Sequence, residues 1–429
     1  MSCQIRGVAG WPAYTTHGTD GLMRGIMLKA DPLPVSDQWS WSAPEPRRLA
    51  ELRQEMEEFN RTNIGLLSMA SSLQDGRSSL FPYVAGSRDP AAAAAVLLCG
   101  QESQRLSDAR LYLVDDETTA TAVAAAATPP TEPISVGRLP SPSGLMVFGA
   151  PIGSYPIAPG GLGARVEDGA APVHTPIVAV SWSLWTAGPV RAASVPVRWV
   201  ANAVHGRELV SPGEQGIWIT FYTACGAAYS VLPPETVVVN VFGEQTTSGE
   251  MVAALRAPGR PELTWDNETV LFLGRKFPPA GSPLGTTGQW AQTVYTAWQL
   301  MSQTGEHAWT ETEVVPRDRA GRRRDRRAGI TGDGDVRVVR LREALRPSVE
   351  ATAKDRQASD GRRPPRTEYR WEVPPYRSPN RCLNTRAHAT GGCTHAERII
   401  RKHVNGPKGK PVRRVRGPVH LWDNARADD

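Results

Sequence analysis

The stretch "RDRAGRRRDRRAG", residues 317–329, restricts the fold more than any other part of the chain. It contains seven arginines and two aspartates but no large apolar side chain that a helix or a strand would bury. Its guanidinium groups repel one another without a counter-charge, and Gly321 and Gly329 weaken a helix. We therefore expect residues 305–329 to be an arginine-rich connector; an extension of the preceding helix by a turn or two is the alternative.

The same stretch marks a change in the sign of the charge. Residues 1–316 contain 20 basic and 29 acidic side chains, which gives a net charge of −9. Residues 317–429 contain 29 basic and 14 acidic side chains, which gives a net charge of +15. A basic terminal third behind an acidic body attracts polyanions, contacts the body itself or remains solvated. The sequence leaves these three outcomes open.

Apolar spacing predicts helices in the first third of the chain. Residues 1–44 are rich in proline and lack periodicity, which indicates a loosely ordered leader. In the region 45–128, apolar residues recur at helical spacing at Leu49, Leu52, Met56 and Phe59. Two further segments, "DPAAAAAVLLCGQESQRL" with Asp89 as its cap and "DDETTATAVAAAA", complete the predicted helical region.

The later parts of the chain alternate between strand and helix patterns. Short β-branched and aromatic runs such as "IVAVSWSLW", "GIWITFYTA" and "ETVVVNVF" predict a β-rich region at 129–285. "QWAQTVYTAWQLMSQ" predicts an amphipathic helix within 286–304, with Trp290, Val294, Trp298 and Met301 on one face. "DVRVVRLRE", "TEYRWEV" and "VRRVRGPVHLW", with "NGPKGKP" as a turn, predict a small basic β-rich module at 330–429. The predicted fold class is therefore α+β.

Several of these segments occur in an order that resembles a known group of proteins. "ARLYLVDDETTATAVAAAA", "LPSPSGLMVF", "IVAVSW", the tryptophan-bearing helix leading into the arginine tract, "VRVVRLRE" and "YRWEV" follow one another over about residues 45–420. This order is similar to that of a group of uncharacterised proteins encoded by actinobacteria, their phages and their integrated mobile elements. The resemblance implies no catalytic residue, because the group has no assigned chemistry.

Neither metal binding nor a recognised catalytic motif emerges from the spacing of polar residues. Cys382, His388, Cys393 and His395 lack the close pairing of a zinc knuckle, so we expect them not to converge on one metal, and we expect no cofactor. The chain also lacks a GxSxG elbow and an HExxH pair. "VDDE", residues 114–117, fits the first turn of a helix better than a cation site, and "HGRE", residues 205–208, fits a surface loop.

The predicted function is binding, and the binding residues are the basic side chains of the terminal third. Arginines beside Tyr369, Trp371, Tyr376 and Trp422 resemble surfaces that pair phosphate contacts with base stacking, although a small soluble core explains them too. The candidate DNA- or RNA-binding residues are Arg317, Arg319, Arg322, Arg323, Arg324, Arg326, Arg327, Arg401, Lys402, Arg413, Arg414 and Arg416.

The function predicted from these residues is that of a non-enzymatic accessory protein of an actinobacterial phage or mobile element. Its partner would be nucleic acid or an acidic protein, and the alternative is an enzyme with a site in the β-rich middle. Five cysteines form no disulfide framework, and no run of about 18 apolar residues is present, so we expect a cytoplasmic chain without a membrane partner. The oligomeric state stays open.

Overall fold

The computed structural model describes the greater part of the chain. The described residues are 41–74, 80–156, 174–188, 197–203, 206–230, 232–239, 244–279, 281–282, 285–303, 308–342, 370–373, 376–378, 398–405 and 412–413. All of them belong to one compact unit. Nearly all of the predicted leader, the predicted turn after Asn405 and the cysteines and histidines weighed as zinc ligands lie outside these residues.

The helices of the region 45–128 confirm the periodicity and capping read from the sequence. The described helices are α1 (Leu49–Asn60), α2 (Asn63–Gln74), α3 (Pro90–Asp108), α4 (Asp116–Ala126), α5 (Cys225–Tyr229), α6 (Ser248–Leu255), α7 (Thr287–Met301) and α8 (Arg319–Arg327). Two short helices, α5 and α6, lie within the region predicted to be β-rich. The Asp89 side chain accepts a hydrogen bond of 3.0 Å from the Ala92 amide at the start of α3. Asp115 accepts one of 2.8 Å from the Thr118 amide, so "VDDE" begins a helix as predicted.

The strands form one large sheet and several small ones, and the fold is α+β. In chain order they are β1 (Leu80–Val84), β2 (Arg110–Val114), β3 (Ser143–Phe148), β4 (Gly153–Pro156), β5 (His174–Thr186), β6 (Val197–Ala203), β7 (Gly206–Leu209), β8 (Gln215–Thr223), β9 (Val237–Val239), β10 (Gln245–Thr247), β11 (Thr264–Phe272), β12 (Thr310–Val315), β13 (Val336–Leu341), β14 (Arg370–Val373), β15 (Tyr376–Ser378), β16 (Arg398–Ile400), β17 (His403–Asn405) and β18 (Val412–Arg413). The runs "IWITFY" and "VVV" are strands, as predicted.

The large sheet is mixed, and four of its strands end at the same edge. Its order is β11-β8-β5-β3-β2-β13-β12, with β4 paired to β5. β2 is parallel to both β3 and β13, whereas β5 is antiparallel to β3 and to β8. Strands β13, β2, β3 and β8 therefore run in one direction, as does β4, which is antiparallel to β5. We call the edge where β13, β2, β3 and β8 end the carboxyl edge.

Helices cover both faces of this sheet. Leu111 and Leu113 of β2 belong to a core cluster with residues of α1, whereas Tyr112 and Val114 belong to a second cluster with residues of α4 and α7. This division follows the alternation of side chains along a strand. Because apolar residues occupy both sets of positions, the strand is a continuous apolar run rather than an alternating one.

Strand β2 and the helix α7 differ in part from the predictions. The region 45–128 is not helical throughout, because β1 and β2 interrupt it. The sequence of β2, "RLYLV", lacks the alternation of apolar and polar residues that would have distinguished a strand from a buried helical segment. Helix α7 matches its predicted span, but every residue from 290 to 300 is buried, including Gln292 and Thr296. The polar side of α7 is therefore buried in the protein interior, where Gln292 donates a hydrogen bond to the carbonyl of Ala126 on α4.

Two further predictions about strands were wrong. β13, assigned to the C-terminal module, pairs in parallel with β2 of the large sheet, Val336 opposite Leu111. Pairing between strands so far apart in sequence has no local signal. "HGRE" was predicted as a loop, yet its last three residues begin β7. They pair with Ala201, Asn202 and Ala203 of β6. "RWEV" forms β14 as predicted, in a small sheet of order β17-β14-β18.

Glu102 of α3 fixes this helix to the large sheet. Its Oε2 accepts from Arg105 Nε at 2.9 Å and from Thr220 at 2.7 Å, and its Oε1 accepts from Ser181 at 2.7 Å and from Tyr222. Burial alone would raise the pKa of Glu102, but the Arg105 charge and the three hydroxyl donors lower it below its ordinary value. The Arg105 guanidinium also lies 4.7 Å from the ring centroid of Trp218.

We predict that Glu102→Gln destabilises the protein by about 3–5 kcal/mol at neutral pH, because Arg105 is left buried without its counter-charge. Urea unfolding measures this loss, and Glu235→Gln, which changes an exposed glutamate, is the matched control. A carboxylate with a lowered pKa contributes stability that is lost as the pH falls through that pKa. The difference between wild type and variant should therefore narrow in acid, and a difference that stays constant down to about pH 3 would contradict the assignment.

Candidate nucleic-acid interface

The arginine tract contains a folded helix, so the expectation of a connector without a folded element was wrong. Helix α8 comprises Arg319–Arg327. Asp318 caps its first turn by accepting a hydrogen bond of 2.6 Å from the Gly321 amide. Gly329 follows the helix with a φ of 76°, a left-handed conformation that favours glycine. The capping aspartate and the terminal glycine are both present in the sequence, but our prediction rested on the charge of the segment and counted the glycines against a helix.

A buried carboxylate explains why so basic a helix folds. Asp325 accepts hydrogen bonds of 3.3 Å from both Nε and Nη2 of Arg317, and Arg53 Nη2 of α1 lies 4.0 Å from its Oδ2. Arg53 is fully buried and donates to the carbonyls of Ala109 at 2.8 Å and Asp333 at 3.2 Å. Burial lowers the pKa of Arg53 to about 10, so the side chain is still cationic at neutral pH. The tract thus contains its own counter-charge, which holds α8 against α1.

Two glycines allow this close packing. A Cβ at Gly321 would lie 2.3 Å from Arg317 Nε, and one at Gly334 would lie 2.8 Å from the Asp325 carboxylate. Both distances are too short for a Cβ contact, so a side chain at either position would displace the Arg317–Asp325 pair. Gly321, which we expected to weaken a helix, therefore lets Arg317 lie beneath α8.

The side of α8 that faces away from Asp325 is made of arginines. At about 100° per residue, five side chains fall on an arc of roughly 140° in the order Arg322, Arg326, Arg319, Arg323 and Arg327. All five are exposed, whereas Gly321 and Asp325 on the opposite side are buried. We call these five residues the arginine face.

Few carboxylates neutralise the arginine face. Arg322 lies 3.4 Å from Asp335, an exposed pair that contributes little. Arg326 Nε donates to the carbonyl of Arg322 at 3.4 Å. Within the described part of the chain, Arg319, Arg323, Arg326 and Arg327 have no carboxylate within salt-bridge distance. The face therefore has a strong positive potential.

The remaining predicted binding residues do not join this face. Arg317 is only 8% exposed and is committed to Asp325, so it is not available to a partner, and Arg324 turns toward Glu51 at 3.3 Å. Arg401 lies 5.4 Å from the ring centroid of Trp309, which packs in the cluster of α4 and α7, on the opposite side of the sheet from α1. Lys402 is exposed next to Arg401. The Arg413 side chain and residues 414 and 416 lie outside the described residues.

A groove of about 800 Å³ lies at the carboxyl edge of the sheet, and we call it the edge groove. Trp41 lines it and donates a hydrogen bond of 3.1 Å to the carbonyl of Phe148, the last residue of β3. Ala224, which follows β8, lines it from the same edge. The other lining residues are Ser42, Arg48, Glu55, Glu58, Phe59, Thr62, Gly226, Ala227, Leu255, Arg256, Ala257, Pro258, Gly259, Arg260, Pro261 and Glu262.

Sequence reasoning missed the edge groove. Trp41 fell in the predicted leader, and residues 256–262 have the composition of a plain turn. The rule that ligands bind outside the carboxyl ends of parallel strands indicates such a site. That rule was of no use without knowing that β3 and β8, separated by β5 in the sheet, run in the same direction.

The comparisons with family models, curated proteins and solved structures yield no match to this chain. The similarity to proteins of actinobacterial phages and mobile elements therefore remains an expectation. Among the helices that the structure describes, none has the length and hydropathy of a membrane span. Within the described residues, no group of three or more histidine, cysteine, aspartate or glutamate side chains is arranged to hold a metal ion.

We predict that Asp325→Ala releases α8 from α1, because Arg317 and Arg53 are then buried without their shared carboxylate. A loss of about 3 kcal/mol corresponds to a roughly 100-fold larger population of the opened helix. Trypsin cleaves after arginine in unfolded segments, so the measurement is the rate of cleavage within residues 319–327 of the native chain. Glu311→Ala, which removes an exposed carboxylate of β12, is the control. Equal cleavage of variant and control would show that Asp325 does not hold the helix.

Proposed function

We propose that this chain binds nucleic acid through the arginine face, as a non-enzymatic accessory protein of an actinobacterial phage or mobile element that acts in the cytoplasm. The observation that supports the proposal is the arrangement of α8, in which five exposed arginines share one side of a helix and a buried aspartate fixes the other.

The geometry of the face suits phosphates in a row. A helix of nine residues is about 13 Å long, and a DNA strand places successive phosphates along its axis every 3.4 Å. Guanidinium groups bind phosphate oxygens in a bidentate manner, but such contacts contain no information about the base sequence. Binding by this face is therefore independent of sequence and depends strongly on salt.

The alternative of an enzyme with a site in the β-rich middle lacks a comparable observation in the described residues. A group of polar side chains from β5 and β8 of this middle region surrounds Glu102 of α3, which is fully buried and whose two oxygens both accept from neighbouring donors. Cys99 nearby is buried as well, and burial, with the Glu102 charge, raises the pKa of its thiol to about 12. These groups stabilise the fold, and none of them faces a cavity described here.

We predict that the full-length protein binds a fluorescein-labelled 30-nucleotide DNA, duplex or single-stranded, at low salt. Each phosphate contact contributes about −0.9 to the slope of log K against log salt for duplex DNA and about −0.7 for a single strand. Replacing the five residues of the arginine face with Gln should remove most of this slope. Fluorescence anisotropy between 20 and 200 mM salt, on the order of the range over which such binding weakens, is the measurement.

A variant with the same change in net charge serves as the control for this experiment. It replaces five exposed basic residues away from α8 with Gln: Arg88, Arg198, Arg275, Lys276 and Arg340. The control should keep the slope of the wild type. The proposal fails if the wild type has no affinity at low salt, or if the control loses as much affinity as the arginine-face variant.

A further inference from the structure

The edge groove and helix α8 are connected through one side chain, that of Glu51. Glu51 of α1 lies 3.3 Å from Arg324 of α8 and 3.6 Å from Arg48. Arg48 in turn lines the edge groove, where it donates hydrogen bonds of 2.7 and 2.8 Å to Glu55. Helix α8, which carries the arginine face, therefore lies two side-chain contacts away from the groove, through Arg324 and Glu51 to Arg48.

The edge groove differs from the arginine face in its charge. Three arginines and three glutamates line it: Arg48, Arg256, Arg260, Glu55, Glu58 and Glu262. Arg48 is also within 3.7 Å of Glu262, so part of this charge is neutralised within the groove. A groove with equal numbers of positive and negative side chains does not attract phosphates as the arginine face does. It offers donors and acceptors to a neutral polar group instead.

Aromatic side chains complete the groove. Phe59 and Trp41 are half-buried and line it, and the Arg260 guanidinium lies 5.8 Å from the ring centroid of Phe59. Nucleobases stack on aromatic rings and on guanidinium planes, and their edges bond to carboxylates and to arginine. The volume of about 800 Å³ falls within the range of roughly 300–1,000 Å³ of pockets for small organic groups.

We propose that the edge groove holds unpaired bases of a single-stranded nucleic acid whose phosphates lie on the arginine face, an inference that rests on the proposed function. The bases of a duplex are paired and stacked, so they do not enter the groove. The protein should therefore prefer a single strand to a duplex of the same sequence.

The test compares a single-stranded 20-nucleotide DNA containing 2-aminopurine with the corresponding duplex. Stacking on the groove should quench the 2-aminopurine fluorescence of the single strand. Phe59→Leu and Arg260→Gln should each reduce this quenching, and Phe59→Leu should weaken single-strand binding by roughly 5- to 150-fold, the range for loss of a stacking ring. Duplex affinity should stay unchanged in both variants, since they leave the arginine face intact.

A control variant and the Arg260→Gln variant separate the possible failures. Tyr83→Leu changes a partly buried aromatic residue of β1 outside the groove and should behave as the wild type. Arg260→Gln alters an exposed side chain, so it tests the groove even if Phe59→Leu unfolds. Equal affinity for single strand and duplex, with no effect of Arg260→Gln, would overturn this inference and leave the proposed function standing. Absence of binding to either DNA would overturn both.

Discussion

The placement of three helices, α3, α1 and α8, depends on one buried carboxylate, Glu102. Because strands β5 and β8 donate hydroxyl groups to it, α3 is fixed on the sheet in both position and rotation. Helix α1 packs on α3, where Ser103 donates to the carbonyl of Glu57 at 3.5 Å, and α8 packs on α1 through Arg53. The exposed arginines are thus positioned by a chain of contacts that begins inside the sheet.

Glu102 and Asp325 are both buried carboxylates whose charge is stabilised by hydrogen-bond donors and arginines. A charge removed from water is tolerated only when partners replace the solvent. Glu102 has four donors from three different elements. Asp325 has Arg317 from its own tract and Arg53 from α1. In both cases the pairing joins segments that are far apart in the chain. These polar contacts therefore specify how the helices and strands are arranged more precisely than apolar packing alone would.

Local signals predicted the parts of the fold that local contacts determine. The spacing of Leu49, Leu52 and Met56 identified α1, and the caps Asp89 and Asp115 marked helix starts, because these features act within one or two turns. The parallel pairing of β2 with β13 and the contact of Arg53 with Asp325 join residues more than two hundred positions apart. For the candidate site, the sequence named the arginines of α8 as candidates, but which of them are exposed depends on that distant contact. Arg317 was misplaced for this reason.

The folded state of α8 also affects the free energy with which its arginines would bind an anionic ligand. Ordering the backbone of one residue costs about 1–2 kcal/mol in conformational entropy, so a flexible tract of nine residues would lose on the order of 10 kcal/mol of gross binding free energy on becoming ordered against a ligand. In this protein that ordering has already occurred during folding, and Asp325 is the group that maintains it. For the proposed nucleic-acid partner, the aspartate would therefore increase the affinity, although its own charge opposes binding, because it keeps the arginines organised before the partner arrives.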